Sequence, residues 1–354
     1  MKVDFLIIGQ GLSGTFLSFY LKKAGKTFLV IDDEKPNAAS RIASGVINPV
    51  TGRRIVKTWK IDELMPFAFS AYKEISEFLK IPSCIHEGAV LNMHTTKQMQ
   101  QAFNNRLQND PSDYIRLCAN EDNWSEYFNF EFGIGETYPV LIINLFDLLR
   151  NWRRYLMNSK YLQAEHFEEE SCFREDHIIR YKNVEAKKLI YCDGASVASN
   201  PYFNKLPFAY NKGEALIVSI PKLPRDFIYK QGLSMVPWRN EDLFWVGSTY
   251  EWRFPDDLPS ASFKERVETY LKNNLKLPFK VVEHFSGIRP ANSERRPFVG
   301  FHPIYINVGI LNGMGTKGCS LAPYFAHQLV QNILTGTLID KEADINRFSM
   351  QHFD

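Results

Sequence analysis

The chain has 354 residues, 45% of them hydrophobic, and its 42 basic and 40 acidic side chains leave a formal net charge of +2 at pH 7. This length can bury a large core in one or two domains, and this composition is typical of a soluble globular protein. The nearly balanced charge gives no strong attraction to nucleic acid or to an anionic membrane.

The metal-binding and sulfur-containing residues form no recognisable site. The five cysteines are widely spaced without a C-x-x-C pair, which argues against a disulfide scaffold and a zinc site, and we expect a cytoplasmic protein. The eight histidines show neither H-E-x-x-H nor paired ligand spacing, so no metal is implied.

The N-terminus places Asp4 inside an apolar run and lacks a small-residue cleavage site, which indicates a strand rather than a signal peptide. No apolar run reaches the ~18 residues that span a bilayer.

The first 34 residues contain a strand, a glycine turn, a helix and a second strand in the order that a dinucleotide-binding unit requires. The apolar run 5–8 leads into the G-x-G-x-x-G sequence of residues 9–14. Gly9 allows the sharp turn, Gly11 lets the backbone approach a pyrophosphate, and Gly14 lets the helix pack closely on the strand. A bare glycine motif also occurs in ordinary turns, so its place between a strand and a helix is what predicts dinucleotide binding.

The helix and the acidic strand end support this interpretation. Leu12, Phe16 and Tyr20 fall on one stripe of the helix, and Gly25 stands where a helix C-cap belongs. We expect Asp32 to accept hydrogen bonds from an adenosine ribose. A carboxylate there disfavours a 2′-phosphate, so FAD or NAD fits better than NADP.

Two later segments also combine a strand with a glycine turn, so the nucleotide-binding part is predicted to be discontinuous in sequence. Residues 188–192 lead into the turn 193–196, and a strand over residues 304–311 leads into the glycine-rich turn 312–318. A helix over roughly residues 320–334 follows, with Pro323 in its first turn, where proline is tolerated. Between these segments, residues 209–220 and 243–253 are apolar and aromatic in the manner of sheet strands, which predicts a second, antiparallel domain.

These motifs together resemble the D-amino-acid oxidase superfamily of FAD-dependent oxidoreductases, and within it the glycine oxidase-like and sarcosine oxidase-like members. The resemblance covers nearly the whole chain, with matches at residues 8–14, 39–45 before Pro49, 213–214, 247–250, 287–290, 296–300 and 312–323. It implies an α/β fold with a discontinuous Rossmann-like FAD-binding domain and a largely antiparallel β-sheet substrate domain with helices. We assign residues 1–80, 140–205 and 285–354 to the first domain and residues 81–139 and 206–284 to the second. No cysteine stands where some relatives attach flavin, so we expect FAD to be bound non-covalently.

The resemblance implies catalytic roles for three side chains. Arg289, in a G-x-R-P sequence, would hold the substrate carboxylate over the flavin, since a guanidinium can bind both oxygens at once. Lys317 would lie close to the flavin and the carboxylate, and Tyr250, at the end of a strand, would present its hydroxyl to the substrate. The competing interpretations are a surface ion pair for Arg289, a solvated loop lysine for Lys317 and plain core packing for Tyr250.

The expected cofactor contacts come from all of the glycine turns and from the segment 40–54, which in the family passes beside the flavin. Met314 stands where the family often has histidine, so one polar contact near the flavin is expected to be absent. The helix after Gly318 would direct its free N–H groups at the flavin pyrimidine ring. The full expected set is Gly9, Gly11, Leu12, Ser13, Gly14, Asp32, Asp33, Ser40, Arg41, Ala43, Gly194, Ala195, Gly313, Met314, Gly315, Thr316, Lys317 and Gly318.

The reaction implied is oxidation of a small amino acid such as glycine, N-methylglycine or a D-amino acid. Hydride would pass from the α-carbon to flavin N5, the imine would hydrolyse to an oxo acid, and oxygen or another acceptor would reoxidise the flavin. One alternative is oxidation of a glycine-like modification on a tRNA base, suggested by the basic cluster of Arg53, Arg54, Lys57 and Lys60, although the low net charge makes a nucleic-acid partner unlikely. The other alternative is a flavin-holding protein without catalysis. No pattern indicates an oligomeric state.

Overall fold

The computed structural model describes residues 1–52, 55–109, 114–175, 178–239 and 242–353. Two large sheets contain most of the strands in these ranges. In chain order, the strands are β1 (Lys2–Ile8), β2 (Phe28–Ile31), β3 (Val46–Ile47), β4 (Val50–Thr51), β5 (Val56–Lys57), β6 (Ile85–Met93), β7 (Ile115–Leu117), β8 (Ile134–Ile143), β9 (Leu162–Gln163), β10 (Cys172–Glu175), β11 (Ile178–Tyr181), β12 (Val184–Tyr191), β13 (Asn211–Ser219), β14 (Phe227–Gln231), β15 (Leu233–Pro237), β16 (Leu243–Gly247), β17 (Lys280–Arg289), β18 (Phe298–Phe301) and β19 (Val308–Asn312). The helices are α1 (Leu12–Lys23), α2 (Ala39–Ile42), α3 (Ile61–Leu79), α4 (Lys97–Asn109), α5 (Leu145–Asn158), α6 (Ala261–Asn274) and α7 (Gly318–Thr335).

The first sheet has a parallel centre in the order β19, β12, β1, β2, β9. Antiparallel strands β10 and β11 extend it beside β12, and β18 pairs with β19. Apolar runs such as Phe5–Ile8 suit strands that are covered on both faces. Because parallel strands end at the same edge, the ends of β1, β2, β12 and β19 bring Gly9, Asp32, Asp193 and Gly313 together.

Helices α1 and α7 pack side by side against this sheet, and their apolar faces form part of the main core. Helix α7 begins at Gly318, earlier than predicted, so Pro323 lies in its second turn rather than its first. Proline has no N–H to bond the backbone oxygen of Cys319, four residues before it. The hydroxyl of buried Tyr72, on α3, donates to that oxygen at 3.0 Å, which explains why the proline is tolerated there.

The second sheet is antiparallel apart from the pairing of β6 with β14. Strand β13 lies between β16 and β17. One face of β13 packs on α6 through residues such as Leu216 and Val218, while Ala215 and Ile217 belong to a separate cluster on the other face with Trp245. This second face is the one that turns toward α2 and the first sheet, since the indole N–H of Trp245 donates to the backbone oxygen of Ile42.

The predicted α/β fold class with two sheets is confirmed, but two strands differ from the prediction. Strand β16 ends at Gly247, so Tyr250 lies in a loop and not at a strand end. The predicted strand 304–311 begins only at Val308, because the ring nitrogen Nδ1 of His302 accepts from the backbone N–H groups of the two residues at 304 and 305 and stabilises a turn there. The domain boundaries remain a prediction, and β8 and β17 each run across one of them. None of the helices in the described ranges is long and apolar enough to cross a membrane.

Candidate functional site

A cleft of about 750 Å³ extends from the carboxyl edge of the first sheet to the face of the second. The ends of β1, β2 and β12 line one end of it, and β13, β16 and β17 line the other. Its volume is in the range of pockets that bind cofactors and other small ligands. All three predicted glycine turns contribute to its lining.

The first glycine turn leaves no space for a side chain at Gly9 or at Gly14. Gly9 has a φ of +97°, and a Cβ atom there would lie 2.5 Å from the backbone oxygen of Cys192 on the neighbouring turn. A Cβ at Gly14 would lie 1.9 Å from the backbone oxygen of Gly9. These approaches let β1, α1 and β12 meet at one point, as the sequence predicts.

Two helix N-termini lie next to each other in the cleft. Helix α1 begins at Leu12 and α7 begins at Gly318, and the Leu12 side chain packs against Gly318, 3.6 Å from where its Cβ would be. Neither helix has an acidic residue in its first turn. The N–H groups of a first turn have no acceptor within the helix and carry a partial positive charge. This end of the cleft therefore favours an anionic ligand such as a pyrophosphate.

Asp32 lines the cleft, but its carboxylate already has partners on both oxygens. Oδ2 accepts from the backbone N–H of Gln10 at 2.8 Å. Oδ1 accepts from the backbone N–H of Glu34 at 3.0 Å and from the guanidinium of Arg153, a buried side chain that also pairs with Glu34 at 2.9 Å. The Asp32 carboxylate is thus held in place and partly neutralised by Arg153 from α5. Its contact with a ribose remains a prediction. Arg41, 3.7 Å from Asp32, adds a second positive charge.

At the other end of the cleft, Arg289 is held by neutral groups. Its Nη1 donates to Asn211 Oδ1 at 2.6 Å and to the backbone oxygen of Thr249 at 3.1 Å, and its Nη2 donates to Ser248 Oγ at 2.9 Å. The Tyr250 ring lies over the guanidinium with 4.9 Å between the guanidinium carbon and the ring centre. Burial lowers the pKa of Arg289, and none of the described carboxylates forms an ion pair with it. The surface ion pair considered as an alternative is therefore not found in the described part of the chain.

The guanidinium of Arg289 lies flat on the backbone of β13. A Cβ at Gly213 would lie 1.9 Å from Nη2 of the arginine, so only glycine permits this arrangement. The predicted match at Gly213 thus has a clear structural reason. It fixes Arg289 beside the cleft from below while Tyr250 covers it from the solvent side.

Lys317 is not solvated and Tyr250 is not packed in the core, in contrast to the competing interpretations of these two residues. Lys317 precedes α7, and its ammonium donates to Thr58 Oγ1 at 3.2 Å. Burial lowers the pKa of Lys317 to about 8, helped by the charge of Arg295, so this is not a solvated loop lysine. Tyr250 is 60% exposed and is not a core residue.

Most of the predicted site residues line the cleft, and a few lie behind it. Gly14 is packed under the first turn, Gly313 packs against Phe298, and Arg41 and Lys317 point their side chains at other partners. The predicted residues in the lining are Gly9, Gly11, Leu12, Ser13, Asp32, Asp33, Ser40, Ala43, Gly194, Ala195, Tyr250, Arg289, Met314, Gly315, Thr316 and Gly318. No group of three histidine, cysteine or acidic side chains in the described ranges is arranged to bind a metal.

Sequence reasoning missed several residues that complete the site. Asn211 and Ser248 hold Arg289, and Arg153 holds Asp32, from positions 78, 41 and 121 residues away in the chain. Trp245 adds an aromatic wall to the cleft. None of these residues belongs to a local motif. Only the pairing of β13 with β17, which places Asn211 directly opposite Arg289, could have indicated one of them.

The basic cluster that suggested a nucleic-acid substrate is only partly described. Lys57 pairs with Asp62, and Lys60 pairs with Asp340. Arg53 and Arg54 lie outside the described residues. The described part of the cluster therefore presents paired charges.

Comparisons with known proteins agree with this architecture. The chain matches the FAD dependent oxidoreductase family (DAO) over residues 4–332. Its structure is similar to that of glycine oxidase from Geobacillus kaustophilus, with a TM-score of 0.77, 18% sequence identity and coverage of 96% of this chain and 97% of the other. It is also similar to iminodiacetate oxidase from Chelativorans sp. BNC1, with a TM-score of 0.75, 18% identity and coverage of 96% and 98%. L-amino acid deaminase from Proteus vulgaris, with a deletion of its specific insertion sequence, gives a TM-score of 0.73 at 14% identity and coverage of 98% and 94%.

Proposed function

Because the chain belongs to the family of FAD-dependent oxidoreductases, we propose that it oxidises the C–N bond of a small amino acid that carries a free carboxylate. The cofactor is FAD, and the enzyme class is that of oxidoreductases acting on CH–NH donors. The observation that supports this proposal is a partly buried arginine, Arg289, that lines the cleft and has no carboxylate partner among the described residues.

The residues of the cleft fit FAD. The paired helix N-termini at Leu12 and Gly318 suit the negative charge of the pyrophosphate and of the flavin pyrimidine ring. The glycine turn at Gly9 lets the backbone come close to phosphates, and Ser40, whose hydroxyl accepts from the Leu12 N–H at 3.1 Å, supplies a polar wall. When bound, FAD supplies the acceptor for the hydride that leaves the substrate.

Arg289 is our candidate for binding the substrate carboxylate. A guanidinium has five N–H donors. Three of them are used by Asn211, Thr249 and Ser248, so two remain. Two donors are what a carboxylate accepts in a bidentate pair, which fixes both the position and the orientation of the α-carbon.

Lys317 and Tyr250 have supporting roles in this proposal. The ammonium of Lys317, held beside the cleft by Thr58, favours negative charge on the substrate and on the reduced cofactor. The Tyr250 ring covers Arg289 and excludes water from the carboxylate site, and its hydroxyl is available to the substrate. We propose that FAD is contacted by the residues of the three glycine turns, by the strand end at residues 32 and 33, and by residues 40, 41 and 43.

We propose glycine, N-methylglycine or a D-amino acid as substrate, since the similar structures include a glycine oxidase and an iminodiacetate oxidase. The imine formed would hydrolyse to an oxo acid, and oxygen or another acceptor would take the electrons. We also propose a reducing, cytoplasmic location, because all five cysteines are unpaired.

The test is anaerobic reduction of the flavin by a panel of glycine, N-methylglycine and D-amino acids. We expect at least one of them to bleach the flavin absorbance, and Arg289→Met to lower kcat/KM by about a thousandfold with FAD retained, because a buried charge-assisted pair is removed. Arg253→Met changes an exposed arginine in the Tyr250 loop and is the control. A protein that retains FAD but is reduced by no member of the panel would support the non-catalytic alternative, and an unchanged kcat/KM in Arg289→Met would exclude Arg289 as the carboxylate site.

A further inference from the structure

Asn211 makes the shortest hydrogen bond that Arg289 has. Strands β13 and β17 are antiparallel, and Asn211 is directly opposite Arg289 in their register. The Asn211 side chain is on the same side as the guanidinium, and its Oδ1 accepts from Nη1 at 2.6 Å. Asn211 is only 1% exposed, so this contact is made away from bulk water. No local sequence motif includes it.

The amide group of Asn211 carries an energetic cost at this position. Its Nδ2 is buried and has no hydrogen-bond partner among the described residues. A buried donor without an acceptor loses its hydration and gains nothing in return. The oxygen of the side chain, and not its nitrogen, therefore accounts for the presence of an asparagine opposite Arg289.

An aspartate would fit the same space and would make a stronger bond to the arginine. Buried arginines usually pair with a carboxylate, which neutralises them. Here all three acceptors, Asn211 Oδ1, the Thr249 backbone oxygen and Ser248 Oγ, are neutral. They fix the guanidinium and leave its full positive charge for a ligand.

We propose that Asn211 is a positioning residue that holds Arg289 by a neutral acceptor and thereby makes the site selective for an anionic group on the substrate. The inference rests on the proposed role of Arg289 as the carboxylate site. In this proposal, Asn211 sets the selectivity for a charged over an uncharged substrate end. A residue with a purely structural role would support all ligands equally.

The experiment measures binding of two matched probes to the FAD-loaded enzyme, namely propionate and propionamide, from the change that each causes in the visible flavin spectrum. In Asn211→Asp, we expect propionate to bind about a hundredfold more weakly, because the new carboxylate neutralises Arg289 and repels the probe. We expect propionamide binding to change by less than about threefold. In Asn211→Leu, where the acceptor is lost and no charge is added, we expect propionate to weaken only about tenfold. With an amino-acid substrate, KM should rise in Asn211→Asp while kcat stays within about threefold of the wild type.

Asn307→Asp is the matched control. Asn307 is also a buried asparagine whose Nδ2 has no hydrogen-bond partner in the described ranges, but it lies beside β12 of the first sheet. It should leave the ratio of the two probe affinities unchanged. Thermal unfolding with bound FAD checks that each variant is folded. Equal weakening of both probes in Asn211→Asp, or no weakening of propionate, would overturn the inference. If Arg289→Met also leaves propionate binding unchanged, the proposed function fails as well, whereas a loss in Arg289→Met alone leaves that function standing.

Discussion

The two ends of the cleft differ in whether their charged side chains are paired with an opposite charge. At the nucleotide end, the carboxylate of Asp32 is paired with Arg153 and with backbone N–H groups, and the turn at Gly9 is closed by main-chain contacts. At the substrate end, the partly buried Arg289 donates to neutral acceptors and has no carboxylate partner among the described residues. A cofactor that stays bound needs a rigid and satisfied cradle, whereas a substrate that comes and goes is recognised by a charge that only it completes.

We expect the nucleotide end to lose both its FAD affinity and its stability when its close backbone contacts are disturbed. Gly14→Ala would place a methyl group 1.9 Å from the backbone oxygen of Gly9, so α1 must move away from β1. We expect this variant to lose FAD during purification and to unfold at a lower temperature. The absorbance of the purified protein near the flavin bands and its thermal unfolding measure both effects.

Lys23→Ala is the control for this variant. Lys23 is an exposed residue at the C-terminal end of the same helix and does not line the cleft. It should retain FAD and its unfolding temperature. If both variants were equally yellow and equally stable, the close contact between β1 and α1 would not be what builds the nucleotide end.

A smaller effect is expected from removing the arginine that pairs with Asp32. Arg153→Met leaves a carboxylate that is mostly shielded from water without its main partner, and breaking such a buried pair costs about 3 kcal/mol. We expect the free energy of urea unfolding to fall by that order and the dissociation constant of FAD to rise. Arg154→Met changes the next, exposed residue of α5 and should change neither. Tighter FAD binding in Arg153→Met would instead mean that Arg153 blocks Asp32 from the ribose.

The nucleotide end was largely predictable because its signals are local. The turn at residues 9–14, the strand end at Asp32 and the helix after Gly318 are each read from a few adjacent residues, and all three occur at the cleft. For the turn at residues 9–14, the physical cause is the close approach of backbone atoms, which excludes a side chain at Gly9 and at Gly14.

The substrate end was predictable only through Arg289 itself. Its holders Asn211 and Ser248 are brought to it by strand pairing, and a period of two residues does not tell which strands will pair. The strand predicted to reach Tyr250 stops at Gly247, because the residues after it bond to β13 and to Arg289 instead of continuing the sheet with β15. The pairing of Arg153 with Asp32 was not predicted for a related reason. The sequence of an amphipathic helix does not distinguish an arginine with a buried partner from a solvated arginine.

The smallest expected effect concerns Lys317, which we propose as a second positive charge for the substrate carboxylate. Burial lowers its pKa to about 8, so its ammonium is present below that pH and is lost above it. The dissociation constant of propionate should therefore rise above about pH 8 and level off about tenfold higher, since one of two attractive charges is removed. Lys317→Arg should keep tight binding to higher pH, and Lys317→Met should bind propionate weakly at every pH.

The pH dependence of the free energy of unfolding is a second, independent test of the pKa of Lys317. The pKa of Lys317 is lower in the folded chain than in the unfolded chain, so between about pH 8 and the ordinary lysine pKa the unfolded state holds the proton and the folded state does not. The free energy of unfolding should then increase with pH across this window, and the increase should be smaller in Lys317→Met, while the exposed control Lys341→Met keeps it. Propionate binding that stays constant with pH in the wild type would place Lys317 outside the carboxylate site, even where the stability profile behaves as expected. In that case Arg289 alone would supply the charge that distinguishes this end of the cleft from the other.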